Sequence, residues 1–155
     1  RRLSRENALQ ALYQCDTLGD YSVGGIEWYF KAFHCDENGV FNAEDHEFTK
    51  TLAQGTVENL DYIDSEISSC SQNWSLSRMS RVDRNILRIA TFEICFLNDI
   101  PSNVSINEAI EVAKKYASDD SPMFINGVLD KVASVVRSSS ERSTSNVIQM
   151  KVSNG

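Results

Sequence analysis

Proline occurs at only two of 155 positions, Pro101 and Pro122, and glycine at seven, so little in this chain interrupts a helix. The apolar residues repeat at helical spacing. Ala8, Leu9, Leu12 and Cys15 form one stripe of a helix from Ser4 to about Leu18, which Gly19 and then Gly24-Gly25 break. A second helix, Ile26 to Cys35, carries Trp28, Tyr29, Phe30 and Phe33 and ends at Asp36-Glu37-Asn38-Gly39. A third starts near Asn42 and runs through Phe48, Leu52, Leu60, Ile63 and Ile67, with a weak point at Gly55. Ser80-Arg81-Val82-Asp83 resembles a cap ahead of Ile86, Ile89, Ala90 and Leu97. Ser105-Ile106-Asn107-Glu108 reads as a capping box opening a helix to about Ala117. Ser121-Pro122 sets an N-cap serine before a first-turn proline and predicts a helix to about Arg137. Nothing alternates as strands do, so the chain reads as all-α.

Past Arg137 the composition turns to Ser138-Ser139-Ser140 and Ser143-Thr144-Ser145, too polar to offset its own ordering entropy. The expected organisation is therefore one helical domain over 1–137 and a flexible Ser-rich tail over 138–155. Val147, Ile148 and Met150 are the tail residues able to dock on a surface.

The net charge of −7 argues against nucleic acid when taken alone, but the charge is segregated. Arg1, Arg2 and Arg5 open the chain with no acid among its first five residues. From Asp16 to Glu66 twelve acids face only Lys31 and Lys50. Arg78, Arg81, Arg84 and Arg88 then face Asp83 alone. A basic site can thus sit on an acidic protein. No apolar run has the roughly 18 residues of a membrane span, and no apolar segment follows the basic start as in a secretory signal. Because the chain begins at Arg1, further residues are expected before it. Cys15, Cys35, Cys70 and Cys95 form no C-x-x-C pair and read as free thiols of a cytoplasmic protein.

Catalytic signatures are missing. There is no G-x-S-x-G, P-loop or G-x-G-x-x-G, and His34 and His46 lack the second cysteine of a zinc finger. Asp119-Asp120, just ahead of a helix, suits the helix dipole better than a metal. The expectation is no enzyme, no cofactor and no metal.

Two stretches go beyond composition. Val82-Asp83, Ile86-Leu87-Arg88, Ala90 and Glu93 match a V-D-x-x-I-L-R-x-A-x-x-E helix. Phe124-Ile125-Asn126-Gly127-Val128-Leu129-Asp130 is similar to an F-V-N-G-V-L-D signature. Between them lie Asp99-Ile100-Pro101 and the segment from Val104 to Tyr116, and the arginine-rich first helix precedes both. In this order the motifs resemble the NusB antitermination family over most of residues 1 to 133. The resemblance implies a bundle of about seven helices in two sub-bundles. It also implies a boxA-type single-stranded RNA bound together with the ribosomal protein that doubles as NusE. The complex would help RNA polymerase resist termination, notably on ribosomal RNA operons. Self-association stays open. The family usually has a basic residue between Pro101 and Val104, where Ser102-Asn103 stand here, and histidine and lysine before Phe124, where Pro122 and Met123 stand. These departures bear on RNA affinity.

At 100° per residue, Arg2 and Tyr13 lie about 20° apart on the first helix. An arginine fork suits a phosphate and a tyrosine face suits an unpaired base. On this pattern, with the resemblance, the RNA-contact set is Arg1, Arg2, Arg5, Tyr13, Lys114, Lys115, Asp120 and Phe124. The alternatives are a core-edge Tyr13, a core Phe124 and ordinary solvated lysines. Glu93 falls within the apolar arc of Val82, Ile86, Ile89 and Leu97, where a lone carboxylate would cost several kcal/mol. Arg5 is its candidate partner, so Glu93 is assigned a structural role. Asn107 and Asn126 are also assigned structural roles. Gly127 is expected to admit a neighbouring helix backbone. Two other readings remain. One is an accessory domain like that preceding some ribosomal RNA cytosine methyltransferases, whose catalytic domain does not fit in 155 residues. The other is an acidic adaptor using the segment rich in acids.

Overall fold

The computed structural model describes the backbone of residues 1–33 and 43–153 and, within these, the side chains of 1–31 and 46–143. The expected helix end at Cys35, the start at Asn42, His34 and the docking residues Val147, Ile148 and Met150 fall outside what is described. Seven α-helices and no strand occur among the described residues: α1 (Arg2–Leu18), α2 (Val23–Phe33), α3 (Ala43–Glu58), α4 (Leu60–Cys70), α5 (Arg81–Phe96), α6 (Ser102–Tyr116) and α7 (Ser121–Ser153). A 3₁₀ turn over Leu76–Arg78 precedes α5.

Four helix limits differ from the sequence pattern. Gly19 does end α1, at φ 68°, while the Asp20 N–H donates to the Cys15 carbonyl at 3.0 Å. Gly24-Gly25 are no breaker, because the Ser22 hydroxyl accepts the Gly25 N–H at 3.0 Å and caps α2 ahead of them. The chain divides at Asn59 rather than Gly55, and the Asn59 amide donates back to the Gly55 carbonyl at 2.8 Å. The box at Ser105 is no cap: α6 begins at Ser102 with Pro101 as N-cap, and Ser105 is buried one turn inside. Finally, α7 runs on through the serines to Ser153, with no break at Arg137. The Ser80 cap stands as read, its hydroxyl accepting the Asp83 N–H at 3.1 Å.

Helices α1, α2 and α3 pack on one another, α4 to α7 do the same, and α5 touches α1 and α3 as well as α4, α6 and α7. Two sub-bundles thus share one contiguous core. Leu12, Ile26 and Leu52 are fully buried in the first, and Ile63, Leu87, Ile125 and Leu129 in the second. The glycine that admits a neighbour is Gly55, where an added Cβ would overlap the Phe92 ring. Gly127 is exposed and an added Cβ meets nothing within 4 Å, which corrects the packing role expected of it.

Buried ion pairs hold the sub-bundles together. Arg5 of α1 donates to Glu93 of α5 through Nε at 3.0 Å and a terminal nitrogen at 2.6 Å, and Ser105 of α6 adds a hydroxyl at 3.1 Å. Glu93 is 1% exposed and Arg5 6%. The Glu93 carboxylate, surrounded by apolar side chains, is therefore fully compensated, as its place on the apolar arc requires. Near the other end of α1, Asp16 accepts from Arg84 at 2.9 Å and from Asn85 at 3.0 Å, while Arg88 bridges Asp64 at 2.8 Å and the Tyr21 hydroxyl at 3.2 Å. Burial alone pushes the Asp16 carboxyl up, but hydrogen bonds from Arg84, Tyr21 and Asn85 outweigh it and hold the group below its ordinary value. Burial raises the Cys15 and Cys95 thiols to about 11, so both stay protonated at neutral pH.

Candidate nucleic-acid interface

The arginines of α5 recur at helical spacing, yet they build no basic surface. Arg84 and Arg88 are spent on Asp16 and Asp64, and only Arg81 remains half exposed, 3.9 Å from Asp16. One group of exposed cations lies along the α1–α6 seam. Arg2 donates a fork to Glu108 of α6 at 2.9 and 3.0 Å and is half exposed. One turn on, Glu6 accepts from Lys115 at 2.9 Å. Arg2, Glu6 and Tyr13 fall within about 40° on α1, so this seam carries Tyr13 at its far end. Arg1 lies against the Phe48 ring, 4.4 Å from its centroid, which fixes the cation beside the same helix.

The result is a strip of mixed charge rather than a basic patch. Hydrogen bonding from Arg2, with its charge and that of Arg5, holds the Glu108 carboxyl below its ordinary value despite burial, and Glu108 raises Arg2 in turn. Lys115 is raised by its hydrogen bond to Glu6. Lys114 pairs with Glu111 at 3.2 Å and is otherwise open to solvent. Each cation keeps donors free for a second anion, since an arginine fork engages a carboxylate through only part of its five N–H groups.

The expected contact residues divide accordingly. Arg1, Arg2, Tyr13, Lys114 and Lys115 are exposed, and Tyr13 at 42% is no core residue. Arg5 is correctly placed as the partner of Glu93 and, being buried and engaged, is withdrawn from the phosphate contacts. Asp120 is exposed at the entrance to α7, and half-buried Phe124 packs one part of its ring on the core. These two line a cleft of about 340 Å³ with Trp74, Arg78 and Asp83. Asn107 lies exposed on α6 and Asn126 half-buried on α7. Met123, where the family pattern has a lysine, is 84% exposed.

Sequence reasoning missed Glu6, Glu108 and Trp74. The two glutamates become partners only once α1 is known to run along α6, which no local pattern reports. Trp74 had a signal: it is a large aromatic residue flanked by Ser71-Gln72-Asn73 and Ser75, with no apolar neighbour to bury it.

Fold and surface together define a small helical bundle whose exposed strip carries cations, carboxylates and the Tyr13 ring. The NusB family model matches residues 2–134. The transcription antitermination protein NusB of Geobacter sp. strain M21 is 46% identical over 138 residues, covering 88% of this chain and 95% of that protein. That of Desulfitobacterium hafniense strain DCB-2 is 43% identical over 144 residues, 92% and 93% of the two chains. Among solved structures, T. maritima NusB superposes with a TM-score of 0.76 at 38% identity, covering 86% of this chain and 90% of its own. A structure of antitermination factors NusB and NusE in complex with double-stranded RNA matches at 27% identity and TM-score 0.73, covering 87% and 96%. This chain belongs to the NusB family.

Proposed function

We propose that this chain is a transcription antitermination factor that binds single-stranded boxA-type RNA together with a NusE-type ribosomal protein. In that complex it supports read-through by RNA polymerase, notably on ribosomal RNA operons. It acts in the cytoplasm and catalyses no reaction. The observation that carries the RNA and NusE part of this reading is the match, over 87% of the chain, to a relative solved with NusE and double-stranded RNA. The strip and the cleft at the entrance to α7 supply the chemistry. Arg1, Arg2, Lys114 and Lys115 contact phosphates, Tyr13 and Phe124 stack on bases, and Asp120 accepts from a base amine. Single strands are favoured because a ring can stack only on a base that is free of its helix. The domain proper ends near Arg137, and the helix beyond it takes no part in RNA contact.

Filter binding with a U-rich single-stranded oligoribonucleotide tests this, with and without the NusE-type partner and beside a duplex of the same sequence. Retention of the single strand, strengthened by the partner, is expected. Absence of retention in both conditions overturns the RNA reading and leaves an acidic adaptor. Stronger retention of the duplex overturns the single-strand assignment.

A further inference from the structure

Helix α7 outruns the core it packs on. Its buried residues Ile125, Leu129 and Val132 recur at three- and four-residue spacing and form the face it turns to the bundle. Val136, Ser140 and Ser143 continue that spacing, and in the sequence Val147 and Met150 extend it. This second half of the helix lies past residue 134, where the family match stops. Every residue from 137 to 143 is exposed. Serine is a weak helix former, and a polar helix that buries no face is marginal in water, so this stretch calls for a partner. Alongside it runs a groove of about 410 Å³ between α4 and α7, lined by Tyr62, Glu66, Cys95, Val135, Val136 and Ser143. Tyr62 is 50% exposed and Val135 46%. The Tyr62 ring meets Phe96 edge-on at 5.7 Å, and Phe96 stacks on buried Phe92 at 5.5 Å, which anchors the aromatic wall to the core.

Charge separates the two sides of this groove. No lysine or arginine occurs between residues 51 and 77, while Glu58, Asp61, Asp64 and Glu66 fall there. Arg88 takes Asp64, but Asp61 and Glu66 make no ion pair with any described residue. In the sequence past Val136, Arg137, Arg142 and Lys151 stand against Glu141 alone. Arg137 and Arg142 are exposed and likewise make no ion pair with any described residue. An apolar groove with an acidic flank thus lies beside a basic helix that lacks a partner. One chain cannot satisfy both needs, because its own extension already forms a wall of the groove. A second copy can. We propose that this protein forms a symmetric dimer in which each copy lays its α7 extension in the other's groove, with its cations against Asp61 and Glu66. Such a contact is self-complementary, as a two-fold interface must be. The groove is built on α4, α5 and α7 and the exposed cation strip on α1 and α6, so dimerisation and RNA contact use different helices.

Sedimentation equilibrium over a concentration series should report a particle of twice the 17.4 kDa chain mass, dissociating as salt screens the exposed ion pairs. A chain ending at Arg137 should keep the single-chain mass while retaining its helical circular dichroism and its RNA in the filter assay. Val135→Glu, which sets a carboxylate in the apolar wall, should weaken association by about tenfold or more. Two charge-reversed full-length chains give the sharper test. Asp61→Lys with Glu66→Lys brings like charges together across the interface, and so does Arg137→Glu with Arg142→Glu, so each alone should be monomeric. Mixed, they should form a heterodimer, because the reversed groove then meets the reversed helix and the native groove the native one. A single-chain mass for the parent at every concentration overturns the proposal. If shortening that monomer also weakens its binding to the NusE-type partner, the groove belongs to that partner instead. A dimer that survives both the shortening and the charge reversals lies on another face and overturns the proposal equally, as does failure of the mixed pair to associate.

Discussion

Two sets of ion pairs in this protein are made of the same residue types and do opposite work. Arg5–Glu93 and Arg88–Asp64 have cations that are 6% exposed; the first ties α1 to α5 across the two sub-bundles and the second ties α4 to α5. Arg2–Glu108 and Lys115–Glu6 have cations that are 54% and 59% exposed, and they decorate the seam between α1 and α6. A buried pair broken from one side strands a charge that has no water to turn to, whereas an exposed pair broken from one side simply resolvates. Burial, rather than charge or sequence spacing, therefore decides which arginines hold the fold and which remain available to a ligand. Arg2 and Arg5 are three residues apart on one helix and fall on opposite sides of that division.

The sharpest way to break the comparison is at Glu93. Glu93→Gln keeps the shape and leaves Arg5 as an unpaired buried cation, so unfolding free energy should fall by about 3–5 kcal/mol. The double variant Arg5→Met with Glu93→Leu should recover part of it, because no charge is then stranded. Denaturant curves on the three proteins decide the matter. If Glu93→Gln melts like the parent yet binds the NusE-type partner more weakly, Glu93 belongs to the partner surface and not to the clasp.

Asp16 makes the same argument by pH. Its folded carboxyl is held below the ordinary value by Arg84, Tyr21 and Asn85, so its contribution is complete above the unfolded value near 3.9 and is lost as pH falls through the lower folded one. Stability should therefore drop on acidification below about pH 4, and Asp16→Asn should flatten that part of the profile while lowering stability at pH 7. A variant with the parent's acid slope would remove Asp16 from the clasp. Glu108, depressed chiefly by hydrogen bonding from exposed Arg2, should contribute far less over the same range.

Most of this fold could be read in the sequence, and its failures share one cause. The stripes of α1 and α5 and the Ser80 cap are consequences of helical period, and period is local; the Arg5–Glu93 pair was legible because period placed both charges on apolar faces that needed a partner. Ser105 looks like a cap because its spacing to Glu108 is right, but its hydroxyl is claimed by Glu93, twelve residues back on another helix. The two glycines trade roles for the same reason. Gly55 looks like a break and is kept by Phe92, while Gly127 sits in the family signature and touches nothing. Gly55→Leu should cost about 1–3 kcal/mol by overpacking, partly relieved by Phe92→Leu. Gly127→Ala should raise stability by up to about 1 kcal/mol through helix propensity alone. Thermal melts showing the reverse order would return Gly127 to the core. The site was legible only in part, since Tyr13 and Phe124 stand in recognisable positions but their charged neighbours come from distant helices.

The smallest stability effect should come from the exposed strip, and there the two sets part most clearly. Arg1→Ala with Arg2→Ala removes one cation beside Phe48 and one facing Glu108, neither of which leaves a charge stranded out of reach of water. Unfolding free energy should change by no more than about 0.5–1 kcal/mol. RNA binding should respond differently. Each phosphate contact on a single strand contributes about −0.7 to the slope of log affinity against log salt, so losing two should flatten that slope by roughly 1.4. Arg5→Met should do the opposite, lowering stability sharply and leaving the salt slope of whatever protein stays folded unchanged. Glu108→Gln separates the two effects within the strip itself. It removes a carboxylate that competes with phosphate for Arg2, so the slope should hold and the affinity at low salt should rise. If Glu108 instead serves to aim Arg2, affinity should fall at every salt concentration. Filter binding across 50 to 200 mM salt, with circular dichroism to confirm the fold, distinguishes a competing carboxylate from an aiming one. A double arginine variant whose salt slope equals the parent's would move the phosphate contacts off α1 altogether.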